Sequence, residues 1–451
     1  MSENVKKIIQ TADPEPFVLP YGEIYRAPLS DGTWRVSLLR LGKNDKRYWR
    51  YDEKGAMVWE AYPEAINLPE GTSVVGMLRC PILGEVILPP SVRELDGLAF
   101  GIEFYGTDTY QWYALHTVHF SQGLERIGYR AFYNCRDLDG VRLPKGLKVI
   151  EKEAFRICLS LSRVTLPESV EEIGSGAFAK CPSLREVIFR GDTCALGGSV
   201  FEKDEGLEKV ILPKGLERIP YRFLAGCTAL EEIGLPKGLS ELGGGAFEGC
   251  TALKSLRFER DLENIDEIHR ESPLAGCTAL TGITLGAATL RGDWIPAAPS
   301  LTEIRVDREN KQLASVDGVL YSRDKKTLLR VPGGRVGAFA VARGTREIAP
   351  FAFSGCSGIT EVKLPSTLTC IGEAAFSGCN SLEKIVLPGG LRRLGARAFG
   401  DCKALSELNI PAGLTDIGAD ALNGCTSLVG ISVSPENKCY RAEGARLVKL
   451  G

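Results

Sequence analysis

The chain has 451 residues, with Lys+Arg 55 against Asp+Glu 57, a formal net charge of −2 and 44% hydrophobic residues. This balance offers no basic field for a nucleic-acid backbone and no acidic or basic tail. No run approaches the roughly 18 apolar residues that a membrane-spanning helix needs. No apolar segment comes after the lysines of MSENVKKIIQTADPEPF, so no secretory signal is read there. The expected compartment is the cytoplasm, or the cell surface or exterior if a leader precedes this sequence.

Residues 1–65 carry no repeat. Thr33–Leu41 alternates apolar and polar residues as a strand does, and Arg47–Tyr62 reads as two strands around Asp52–Gly55. Trp34, Trp49 and Trp59 lie here, so this segment is expected to be a small β cap covering the open apolar end of a repeat array. From about residue 66 a pattern sets in, clearest in Gly123–Pro167. There Leu124, Ile127, Phe132, Cys135, Leu138 and Leu143 recur 23 residues later as Leu147, Ile150, Phe155, Cys158, Leu161 and Leu166. A fixed period in the 20s is the mark of a solenoid. About 14 units can be counted. An aromatic insertion, Gly101–Ala114, interrupts an early one and holds Tyr105, Tyr110, Trp112 and Tyr113. A second insertion, residues 307–344, reads as a hairpin with strands at Val319–Tyr321 and Leu328–Val331. Repeats resume over 345–433, and 434–451 (SPENKCYRAEGARLVKLG) echoes the insertion and is expected to close the far end.

Each repeat position has a physical reading. In LxxVxLP, Val and Leu alternate and so share one face of a strand, and successive repeats should stack these strands into a parallel sheet. Pro ends the strand, where a missing N–H costs no ladder bond. The glycine two residues later (Gly146, Gly215, Gly238, Gly390, Gly413) suits a turn with unusual backbone angles. AFxxC is read as a short helical turn opposite the sheet. The expected fold class is therefore an α/β repeat solenoid: a parallel β-sheet on one face, short helical turns opposite, and a β cap at the N-terminus.

The pattern LPxGLxxIGxxAFxxCxxLxxVxLP resembles the BspA-like leucine-rich repeat family, and DGVLY…TLLRVP is similar to a hairpin found in such proteins. The resemblance covers roughly residues 66–451. It implies a binding role, typically on bacterial or protozoan surfaces, toward host proteins or other cells.

Little chemistry competes with that reading. Eleven of the 14 cysteines share one repeat position. Stacked equivalents point the same way and no CxxC or Cys/His spacing occurs, so they are read as core thiols rather than a metal or disulfide ladder. His116, His119 and His269 form no catalytic or ligating pattern, and GxSxG, P-loop and HExxH motifs are absent. No enzyme, metal or cofactor is expected. What varies is the strand face opposite Val and Leu, where one row includes Arg142, Thr165, Ile188, Ile211, Arg257, Arg305 and Lys363. Ile188 beside Ile211 forms an apolar patch on that face. A solvated sheet with weak ion pairs would carry such rows too, and the aromatic insertion could pack on its own solenoid as well as anchor a partner. The expected function is a non-enzymatic scaffold for a protein partner, through the concave sheet or the Gly101–Ala114 loop. The candidate contacts are Tyr105, Tyr110, Trp112, Tyr113, Arg142, Ile188, Ile211, Arg257, Arg305 and Lys363. The alternative is a surface adhesin for host protein or carbohydrate.

Overall fold

The structure is a computed structural model. It describes residues 7–11, 18–19, 22–28, 30, 33–38, 49–51, 57–59, 65–69, 71–76, 85–101, 115–265, 272–289, 295, 298–443 and 446–450. The described residues fold as β-solenoid turns of the leucine-rich repeat kind. It divides into two compact units, residues 1–233 with 245–250 and residues 234–244 with 251–451.

Each regular turn contributes two short strands. The first is the LxxVxL segment, as in Arg163–Leu166 and Glu186–Phe189, which pair in parallel with Val164 beside Val187 and Leu166 beside Phe189. Burial alternates along both, inward at Val and outward between, as period-two packing requires. The second strand is the LxxI segment. In the first unit it runs in parallel from Thr72–Val75 through Glu94–Leu95, Arg126–Ile127, Val149–Ile150 and Glu172–Ile173 to Ala195–Leu196. Trp34–Leu38 pairs with Thr72–Val75, and Gly22–Pro28 and Val18–Leu19 extend the same sheet antiparallel. Those strands satisfy the edge that the first turn would otherwise leave open.

The arc that returns to the next first strand is not helical, which corrects the sequence reading. Among the described residues there is no helix. AFxxC has helix-like spacing, but its backbone hydrogen bonds go two ways in alternation. The N–H groups of Ala131, Tyr133 and Cys135 donate within the turn to Gly128, Arg130 and Phe132, at 3.1, 3.0 and 3.2 Å. Those of Phe132 and Asn134 donate sideways to Ala154 and Arg156 of the next turn, at 2.7 and 2.8 Å. An α-helix keeps every such bond within one segment. Arg130 (φ 53) and Asn134 (φ 62) also lie in the left-handed region, and the same two places recur at Glu153 (φ 57) and Ile157 (φ 64). The glycines Gly146, Gly215, Gly238, Gly390 and Gly413 have no positive φ, although Gly71 (φ 77) after Pro69 does, so in these five turns the unusual angles lie in the arc and not after the proline.

The core is built from equivalent side chains lying on one another. Phe132, Phe155 and Phe178 are fully buried, with ring centroids 5.0 and 5.1 Å apart and planes within 7° and 2°. That spacing is close to the strand repeat. Phe353, Phe376 and Phe399 repeat the arrangement in the second unit, at 4.5 and 5.1 Å. Full burial of each large apolar side chain contributes about 1.5–3 kcal/mol, and the stacked rings supply part of it from neighbouring turns. The cysteine column has a similar sideways role. The thiols of Cys158, Cys181 and Cys227 donate to the carbonyls of Phe132, Phe155 and Phe201 at 3.3, 3.2 and 3.2 Å, and Cys379 and Cys402 repeat this at Phe353 and Phe376. These thiols are free. Burial pushes Cys135 up to about 12, so it stays a protonated donor.

In the second unit Leu313–Val316, Val319–Ser322 and Thr327–Arg330 form an antiparallel meander, whose last strand joins the parallel second-strand sheet through Glu347–Ile348. Tyr440–Glu443 and Arg446–Lys449 form another antiparallel pair. The shared ENK segments behave alike. The amide of Asn310 donates to Gly286 and Thr289 and accepts from Gln312 and Leu313. That of Asn437 donates to Pro411 and Leu414 and accepts from Cys439 and Tyr440.

Candidate interaction surface

The outward side of the first strands is where the turns differ. Arg142 is exposed just past Gly140–Val141, and no ion pair or hydrogen bond holds its side chain among the described residues. Ile188 lies directly beside Ile211 in the ladder, and Ile211 is 43% exposed. In the second unit Arg257 and Arg305 flank Thr284 on successive strands. They are not free. Arg257 binds Asp307 at 2.6 and 3.1 Å and Glu259 at 2.7 Å, and Arg305 binds Glu303 at 2.7 Å. Lys363 is exposed at the end of Gly358–Lys363, with no side-chain partner among the described residues. Tyr105, Tyr110, Trp112 and Tyr113 lie outside the described residues.

The first unit concentrates charge around one carboxylate. Glu186 accepts from Lys209 at 2.7 Å and Arg163 at 2.9 Å. The Lys209 hydrogen bond, with Arg163 and Arg190 nearby, holds its carboxyl below the usual carboxylate range. Two first strands before Arg163–Leu166, His119 meets Glu85 at 2.7 Å. A cleft of about 1060 Å³ lies over Thr117–His119, Gly140–Val141 and Arg163–Leu166, lined by Arg142, Lys145, Arg163 and Arg190 together with Asp139 and Glu168. Of these six, the sequence singles out only Arg142. Arg190 carries a signal that could have been read, for it stands where the repeat has proline: Leu166-Pro167 gives way one turn later to Phe189-Arg190. The cleft itself has no signature, because it depends on the spacing between strands.

A model of the BspA type leucine-rich repeat region matches residues 104–229, 194–314 and 337–441. The chain belongs to the BspA-type leucine-rich repeat family. Among solved structures, a leucine-rich repeat protein from Bacteroides ovatus is 25% identical with a TM-score of 0.53, over 92% of this chain and 94% of that one. A leucine-rich cell surface protein from Faecalibacterium prausnitzii is 21% identical with a TM-score of 0.39, over 94% and 95%. A leucine-rich repeat protein of T. pallidum is 23% identical with a TM-score of 0.38, over 54% and 91%. No curated protein matches the chain. The family match indicates no catalytic family, and the family is one of interaction or surface repeat proteins. Among the described residues no helix is long and apolar enough to cross a membrane, and no group of three or more His, Cys, Asp or Glu could hold a metal ion.

Proposed function

We propose that the protein is a non-enzymatic interaction scaffold that binds a protein partner on the outward side of its first strands. The observation that carries this reading lies on one strand. In Glu186–Phe189, Val187 and Phe189 are buried in the core, whereas half-buried Ile188 faces outward beside exposed Ile211, an apolar pair on the outward row. Arg142, two turns earlier in the same outward row, adds a polar contact at the edge of an apolar centre, the usual anatomy of an interface. The aromatic insertion belongs to the same proposal. Its Tyr105, Tyr110, Trp112 and Tyr113 are candidate anchors of the kind that interfaces favour.

The test is quantitative capture from the extract and medium of the source cells. Immobilised wild type is compared with the double variant Arg142→Glu/Ile211→Glu and with Lys152→Glu, an exposed change on the arc. A protein held by wild type and Lys152→Glu should be depleted about tenfold or more by the double variant. Identical retention by all three would overturn the reading.

A further inference from the structure

We infer that the cleft over Gly140 is a binding site for an acidic segment of polypeptide. This deepens the proposed function and rests on it.

Three independent features meet at this cleft. The first is a break in the ladder. The first strands from Glu85–Ile87 to Gly140–Val141 form one sheet, and those from Arg163–Leu166 to Lys209–Ile211 form another. Across the break Ser162 donates to the Asp139 carbonyl through both its N–H, at 3.2 Å, and its hydroxyl, at 3.1 Å. The second feature is a missing side chain on the outward row. Gly140 pairs with Thr117 in register, and a Cβ built on it would meet nothing within 4 Å. The floor is therefore open backbone, and Thr117 and Thr165 line the cleft with it. The third is uncompensated charge. Arg142 and Lys145 line the cleft without partners among the described residues, while Arg163 shares the single carboxylate of Glu186 with Lys209, and Arg190 stands near the same carboxylate. A carboxylate arriving here breaks no existing pair at Arg142. The guanidinium can take it in two parallel hydrogen bonds, the geometry that makes such pairs strong.

The lining also separates the classes of anion. Asp139 and Glu168 stand at the same cleft. A polymer charged at every unit, such as a nucleic acid or sulfated glycan, would press charge onto both. A peptide can place acids over Arg142 and Arg163 and neutral or basic residues over Asp139 and Glu168. Of the two rings in the lining, Phe120 is buried and the exposed His119 imidazole is held by Glu85 at 2.7 Å, so no Tyr or Trp face offers a base or sugar the stacking platform that such ligands use.

The experiment measures fluorescence anisotropy of labelled twelve-residue peptides with the full chain, one alternating Gly and Glu and the other alternating Gly and Gln. A heparin oligosaccharide serves as competitor. The Glu peptide should bind about tenfold or more tightly than the Gln peptide, and lose that margin as salt rises from about 0.05 to about 0.5 M. Gly140→Glu fills the open floor with a like charge, and Arg142→Glu reverses the free cation. Each should weaken the Glu peptide about tenfold or more, whereas Lys152→Glu, exposed on the arc and outside the cleft, should change nothing. Because Gly140→Glu could disturb its strand, Arg142→Glu, at an unpartnered exposed side chain, is the second arm, and thermal unfolding of both accompanies the binding curves. Equal binding of the two peptides, binding unmoved by Arg142→Glu, or an oligosaccharide that outcompetes the Glu peptide at the cleft would each overturn the inference. If it fails while the Arg142→Glu/Ile211→Glu variant still loses its captured partner, the scaffold reading stands and only the acidic-peptide assignment falls.

Discussion

The column of Phe132, Phe155 and Phe178 and the row of Arg142, Thr165 and Ile188 advance along the same turns of the same unit, yet obey opposite rules. In the column every side chain touches its own equivalents, so a change must suit the turn before and the turn after. In the row each side chain meets solvent, and the residue is free to become arginine, threonine or isoleucine. Repetition in this molecule therefore marks what holds it together. Its absence marks what the molecule can offer to others.

The largest effect separating the two regions belongs to the column. Phe155 is fully buried between two parallel rings, so Phe155→Ala should cost about 3–5 kcal/mol in denaturant unfolding. Because solenoid stability is summed over neighbours, protection from hydrogen exchange should fall first in the turns of Phe132 and Phe178. A loss below about 1 kcal/mol would mean that the column collapses around the gap and is less constrained than its geometry indicates.

Glycine of the IG pair comes next. A Cβ on Gly174 would lie 2.3 Å from the backbone nitrogen of Lys152 and 2.7 Å from the Glu151 carbonyl carbon. Gly174→Ala should therefore cost about 1–3 kcal/mol, the usual range for overpacking, measured by the same unfolding curves. Gly128, Gly197, Gly372, Gly395 and Gly418 make the same close approach to the preceding turn. That explains a repeat position for which spacing alone offers no reason.

Asp204 breaks the cysteine column in the first unit. It occupies the cysteine position, fully buried. Its Oδ1 accepts from the Cys181 N–H at 2.8 Å, and its Oδ2 has no partner. Burial raises its carboxyl well above the usual range. The fold thus prefers the protonated acid, and stability is lost as pH rises from below the unfolded value near about 4 through the folded value. Asp204→Cys should restore a thiol donor and stabilise the unit by about 1 kcal/mol at neutral pH. The advantage should shrink toward about pH 4. A constant difference across that range would show that the carboxyl does not titrate with folding.

These residues also show how far sequence reaches. Burial leaves a period, so Val164, Leu166, Phe155 and Ile173 disclose the coil, the parallel strands and the family. Hydrogen-bond direction leaves none. The helix read into AFxxC had the right apolar spacing and the wrong partners, because alternate N–H groups reach the next turn and Arg130 and Asn134 hold left-handed angles without being glycine. At the surface the sequence marks Ile188 and Ile211 as odd but cannot say which arginines are spent. Arg257 and Arg142 stand in the same row, and only the structure shows Asp307 and Glu259 holding the first.

The smallest effect is expected at the other extreme of the comparison. Gly140 is as much a glycine as Gly174, but its missing Cβ points into the open cleft and its φ is not in the left-handed region. Gly140→Ala then adds no clash and narrows only the unfolded ensemble, so stability should stay level or rise by about 0.4–1 kcal/mol. The two alanines differ by one methyl group each and lie within the same unit. If unfolding curves show Gly140→Ala as costly as Gly174→Ala, the outward row is under the same turn-to-turn constraint as the column. The freedom assigned to it as a binding face would then have no physical basis.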